Sequence, residues 1–150
     1  MVFTDHLGVE DAPVIVNDTL TGVQESASVA ITGDGEFVVV WTSDHEGDSG
    51  VYAKVFNSDG DVKVNEFRID AGNGSNASVD IDNGGNFVVA WEEAAVDADG
   101  DIFIQAFELD GDTIGSKQLV NNLNSAGIQG NPDVAINNSG DVVVTWDNFD

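Results

Sequence analysis

The chain has 150 residues, 41% of them hydrophobic, enough to bury a core in one ordinary domain, so its high charge does not make it a disordered tail. Its 28 acidic side chains against 4 basic ones give a formal net charge of -24, a field that repels nucleic acid and anionic membrane surfaces. Cysteine is absent, which excludes disulfides and thiolate metal centres, and no apolar run approaches the length of a membrane-spanning helix.

In chain order, residues 1–20 read as half of a repeating unit. Phe3 and Val16 stand as far apart as Phe56 and Ile69, or Phe107 and Val120, and Val14-Ile-Val-Asn17 parallels Gln118-Leu-Val-Asn121. Residues 21–70 form the first whole unit. Its strands are predicted near 27–31, 36–42, 51–56 and 64–69, joined by tight hairpins in which Gly35 and Gly60 supply the positive φ. Residues 71–125 repeat the pattern, with Gly85 and Gly111 at the hairpins. Residues 126–150 form a second half unit, the first two strands turning at Gly140. The period is clearest in three segments: Ile31-Thr-Gly-Asp-Gly-Glu-Phe-Val-Val-Val-Trp41, Ile81-Asp-Asn-Gly-Gly-Asn-Phe-Val-Val-Ala-Trp91 and Ile136-Asn-Asn-Ser-Gly-Asp-Val-Val-Val-Thr-Trp146. A repeat near fifty residues with no room for a helix marks stacked all-β units.

The second strand of each unit is apolar at nearly every position, so both of its faces are buried, which one meander alone cannot do. Stacked neighbouring sheets can. Radial stacking of four-stranded antiparallel sheets is the β-propeller, with a solenoid of sheets and a β-sandwich as the alternatives. Three blade equivalents are too few for a ring. The complementary half units at the two ends predict a head-to-tail homodimer of six blades, or a trimer of nine. Its seams would pair strands 142–146 with strands 1–5 of the partner. A piece of a longer array is the other way to read the split.

The segments Gly85-Asn-Phe-Val-Val-Ala-Trp91, Gly50-Val-Tyr-Ala-Lys-Val-Phe56 and Glu66-Phe-Arg-Ile-Asp70 resemble a repeat of large bacterial secreted and surface proteins. Such repeats are often neighbours of RTX-type calcium-binding and cadherin-like modules. The resemblance covers nearly the whole chain and implies propeller blades in an extracellular, secreted or cell-surface setting, without naming a ligand. The family's third strand more often carries a basic residue before its Phe or Tyr. Val55 and Ala106 stand there instead.

Several residue groups invite a chemical reading. Trp41, Trp91 and Trp146 recur at one place per unit, where exposed rings would stack on sugars and make a carbohydrate-binding lectin; buried, they would wedge between blades. The charge has two explanations, a solvated salt-adapted surface or calcium held in acidic loops. Asp97, Asp99 and Asp101 present carboxylates at alternate positions, as calcium loops do, and Asp44, Glu46 and Asp48 occupy the equivalent loop of the preceding unit. Gly47-Asp48-Ser49-Gly50 resembles the nucleophile segment of chymotrypsin-like proteases, yet the next unit has Gly100 where Ser49 stands and nothing places an imidazole beside it. The expected function is therefore a non-enzymatic interaction or scaffold module, with itself, a surface protein or a carbohydrate as partner, and calcium as the one candidate cofactor.

Overall fold

A computed structural model describes residues 13–45, 48–70, 72–93, 100–122 and 127–149, apart from the Asp48 side chain. Ten strands and no helix are present among them: β1 (Gln24–Ile31), β2 (Phe37–His45), β3 (Asp48–Phe56), β4 (Val62–Arg68), β5 (Ser75–Ile81), β6 (Phe87–Glu93), β7 (Asp101–Phe107), β8 (Thr113–Leu119), β9 (Ile128–Ile136) and β10 (Val142–Phe149). Strands β1 to β4 form one four-stranded sheet in sequential order, β5 to β8 form another, and β9 pairs with β10 in a third. Every pairing is antiparallel.

The hairpins follow from local chemistry. Gly35, Gly60, Gly85, Gly111 and Gly140 all take the left-handed conformation, with φ between 81° and 91°. Each donates its amide to the carbonyl three residues back, as Gly35 does to Thr32 at 3.1 Å and Gly140 to Asn137 at 2.9 Å. This is the type I turn closed by a left-handed residue, one of the common short links between antiparallel strands. At four of these turns a side-chain oxygen at the entry position gathers further amides. Asn57 Oδ1 accepts from Asp59 and Asp61, Asp82 Oδ1 from Gly84 and Asn86, and Asn137 Oδ1 from Ser139 and Asp141, while Thr32 Oγ1 accepts from Glu36. Much of the polar and acidic character of this chain thus has a backbone cause.

The continuous apolar strands are buried on both faces. In β2, Val38 and Val40 point one way and Phe37, Val39 and Trp41 the other. Val38, Val40, Val51, Ala53 and Val55 of the first sheet meet Val79, Ile81, Phe87, Val89 and Trp91 of the second. At the next boundary, Val88 and Ala90 meet Val134, with Ile104, Ala106, Ile136 and Val144 around them. Each fully buried valine contributes on the order of 1.5–3 kcal/mol. The three sheets therefore stack face to face, with β1 beside β5 and β5 beside β9.

Residues 13–18 also lie on a sheet face. Val16 is buried against Phe37, Val39, Trp41, Tyr52 and Phe56. Lys54 Nζ donates to Val16 O at 3.0 Å and to Asp18 Oδ1 at 2.6 Å, and the Asp18 amide donates to Glu66 Oε2 at 2.8 Å. The segment is thereby fixed over β3 and β4. The stack is all-β and open, and the described strands do not close into a ring.

One feature of the strands is invisible to alternation. The first strand of each unit starts earlier than its apolar pattern, because it continues through a bulge. Ser26, Asn76 and Asn131 occupy the same position in β1, β5 and β9 and take φ of 52°, 49° and 52°. The register shifts there in all three sheets.

Candidate functional site

Of the predicted site residues, Trp41 and Trp91 are buried and Trp146 is half-buried. Trp41 stacks on Tyr52 with centroids 6.4 Å apart, and Trp91 on Phe103 at 6.2 Å. Trp91 Nε1 donates to Glu93 Oε2 at 3.0 Å. Lys117 Nζ holds both oxygens of the same carboxylate and lies 4.1 Å from the Phe103 ring centroid. Ser43 stands in the first sheet where Glu93 stands in the second, and its Oγ lies 2.8 Å from His45 Nδ1. Trp41 Nε1 is consequently buried with no partner among the described residues. Buried indoles offer no open face for a sugar: Trp91 packs between the first and second sheets, and Trp41 packs on the other face of the first sheet, in one cluster with Val16.

Among the acidic loop residues, Asp97, Asp99, Glu46 and the Asp48 side chain lie outside the described residues. Asp44 is exposed at the end of β2. Asp101 begins β7, paired with Glu93, and is buried. Its Oδ1 accepts from Asn121 Nδ2 at 3.0 Å, and the same amide donates to Gln129 Oε1 at 2.9 Å while Asn121 Oδ1 accepts from the Ile102 amide at 3.1 Å. Asp70 occupies the position of Asn121 one unit earlier, accepting from the Val51 amide at 2.8 Å and the Gly74 amide at 2.7 Å. Asp70 and Asn121 thus tie the third strand of one sheet to the start of the next. No group of three or more metal-ligating side chains occurs among the described residues.

The most informative contrast is between equivalent apolar residues. Val79 is 6% exposed and Val134 7%, because each is covered by the sheet before it. Val29, at the same position of β1, is 63% exposed, and Ile31 beside it is open where Ile81 is buried. The other end of the stack mirrors this. Val88 is 2% exposed under β9, whereas its equivalent Val143 on β10 is 63% exposed, with Thr145 open next to it. The two ends of the stack are therefore unlike faces of a kind that meet each other inside it.

A polar pattern runs alongside each internal boundary. The Val79 amide donates to Ser28 Oγ and the Val134 amide to Ser78 Oγ, both at 3.4 Å, and Ser78 Oγ donates to Asp133 Oδ1 at 2.8 Å. At the bulge, the Asn76 amide donates to Thr42 Oγ1 at 3.1 Å and the Asn131 amide to Glu92 Oε1 at 2.6 Å. Thr42 and Glu92 each follow the tryptophan of the preceding sheet. Asn76 Nδ2 and Asn131 Nδ2 also bond that position of their own sheets, Glu92 Oε1 at 3.0 Å and Asp147 Oδ2 at 3.0 Å. Sequence reasoning missed these residues. The bulge residues leave one trace in the sequence, a polar residue three places before each valine of the Val-to-Trp repeat, but nothing there shows what each one bonds.

No protein-family model matches this chain, and no curated protein matches it as a relative.

Proposed function

We propose that this chain is a non-enzymatic interaction or scaffold module whose sheets are blades of a β-propeller, and that a second copy completes it head to tail, so that two chains close a six-bladed ring. The observation that carries this reading is the exposure of Val29 and Val143 at positions whose equivalents are buried between sheets. The segment 13–18 covers β3 and β4 as a preceding blade's last strand would, and leaves β1 open for the two strands that β9 and β10 of another copy supply. Strands 1–5, which complete the pairing in this reading, lie outside the described residues. Repetition supports binding over catalysis, since repeated equal positions serve many equal contacts. The resemblance of the repeat adds the extracellular bacterial setting.

Light scattering tests the assembly. The expected mass is twice the 15.7 kDa of one chain, with three times as the nine-bladed variant. Because the chain has no cysteine, a Val29→Cys, Val143→Cys double variant should oxidise to a covalent head-to-tail product. A stable monomer that yields no such product would falsify the ring.

A further inference from the structure

We infer that two carboxylates at the carboxyl-terminal end of the stack, Asp133 and Asp147, set the register of the seam between copies by accepting backbone amides of the partner's β1. This rests on the head-to-tail reading above and names the groups that recognise the second copy.

The internal boundaries supply the template. At each of them the amide of the key valine donates to the side chain one position earlier on the preceding inner strand, from Val79 to Ser28 and from Val134 to Ser78. Continued to a second copy, the partner's Val29 amide meets Asp133. One oxygen of that carboxylate, Oδ1, already accepts from Ser78 Oγ and the Val134 amide. Oδ2 has no hydrogen bond among the described residues. The bulge follows the same rule. The Asn131 amide uses Glu92 of the sheet before it, so the partner's Ser26 amide meets Asp147, whose Oδ2 holds Asn131 Nδ2 and whose Oδ1 is unbonded among the described residues.

Two other kinds of cross-boundary bond have no counterpart at this seam. Asn83 Oδ1 accepts from the Gly33 amide and Asn138 Oδ1 from the Asn83 amide, but the partner offers Gly33, with no side chain, to the Asn138 amide. Asp80 Oδ2 accepts from the Ile136 amide, but Ala135 stands in its place on β9. The seam therefore lacks those two links, and both backbone amides that still find an acceptor across it end on a carboxylate, while the side-chain pairs Ser26–Asn76 and Ser78–Asp133 continue as Asn131 and Asp133 against the second copy's Ser26 and Ser28. A hydrogen bond to a charged acceptor is stronger than a neutral one, and each aspartate accepts a directed backbone amide that a slipped copy would leave unpaired.

The test measures the dissociation constant of the assembly by sedimentation for Asp133→Ala, Asp133→Ser, Asp147→Ala and Asp147→Thr, with circular dichroism confirming the fold. Serine and threonine are the acceptors that the chain itself uses at the equivalent positions, Ser28, Ser78 and Thr42. Each alanine variant should weaken association about ten-fold, and Ser or Thr should restore most of the loss. Alanine and its polar counterpart carry the same net charge, so a difference between them reports the acceptor and not the lost repulsion. Full-strength association by both alanine variants, or serine and threonine variants as weak as alanine, overturns the seam assignment while leaving the assembly standing. A parent chain that is monomeric overturns both.

Discussion

Asp82 shows how one acidic residue can serve the fold without a ligand. Burial acts to raise its pKa, but the hydrogen bonds that its carboxylate accepts from the Asn86 side-chain amide and from the backbone amides of Asn86 and Gly84 hold it below the ordinary 3.8. A carboxyl group depressed on folding adds stability above its unfolded pKa, and that contribution disappears as pH falls through the folded value. Asp82→Asn should keep the acceptor, as Asn137 does for Ser139 and Asp141 in the last hairpin, and lose the charge. Thermal melts in about 0.5 M salt, where long-range repulsion is screened, should show the parent ahead of the variant at neutral pH and level with it in acid. A gap that stays constant from neutral pH into acid would remove the charge from the explanation. The placing of Asp and Asn in turns was legible in the sequence, because their side chains mimic backbone acceptors. The partners of Lys117 and Lys54 were not, since those pairings depend on which strands become neighbours.

At the scale of hairpins and strands, Gly85 and Gly140 separate two costs. Both have φ above 80°, but a Cβ on Gly85 would lie 2.5 Å from Leu109 Cδ1 and 2.9 Å from its Cγ, whereas one on Gly140 would meet nothing within 4 Å. Gly140→Val should cost the backbone strain alone, about 1–3 kcal/mol, and Gly85→Val that plus the clash. Urea titrations that gave both variants the same midpoint shift would show that Leu109 gives way freely. Period and glycine placement made these strands and turns readable in advance. The bulges were not, because Ser26, Asn76 and Asn131 reach the left-handed region without being glycine. Cross-boundary hydrogen bonds hold Asn76 and Asn131 there, and no local rule reveals such bonds. The open faces of β1 and β10 were only half readable. Repeat counting gave the split, while the exposure of Val29 and Val143 needed the stack itself.

On the scale of the whole molecule, the proposed seam joins two different faces. That makes it heterologous, and such contacts have a signature that self-complementary ones lack. Val29→Glu and Val143→Glu should each abolish association, because every copy then lacks one face. Mixed together they should pair again through the single intact seam, which joins Val29 of one variant to Val143 of the other. Light scattering on the mixture should recover a two-chain mass, and a mixture as monomeric as its components would argue against unlike faces meeting. The stack of β1, β5 and β9 has a further consequence, because neither end face counts copies. In the proposed ring each chain would add a fixed number of equal angular steps, and the angle between successive sheets alone would decide whether those steps complete a full turn. If the ring proposed above forms, a substitution in the Val88, Ala90 and Val134 layer that altered that angle by a few degrees would leave both of its joining faces intact and convert the ring into an open helical filament.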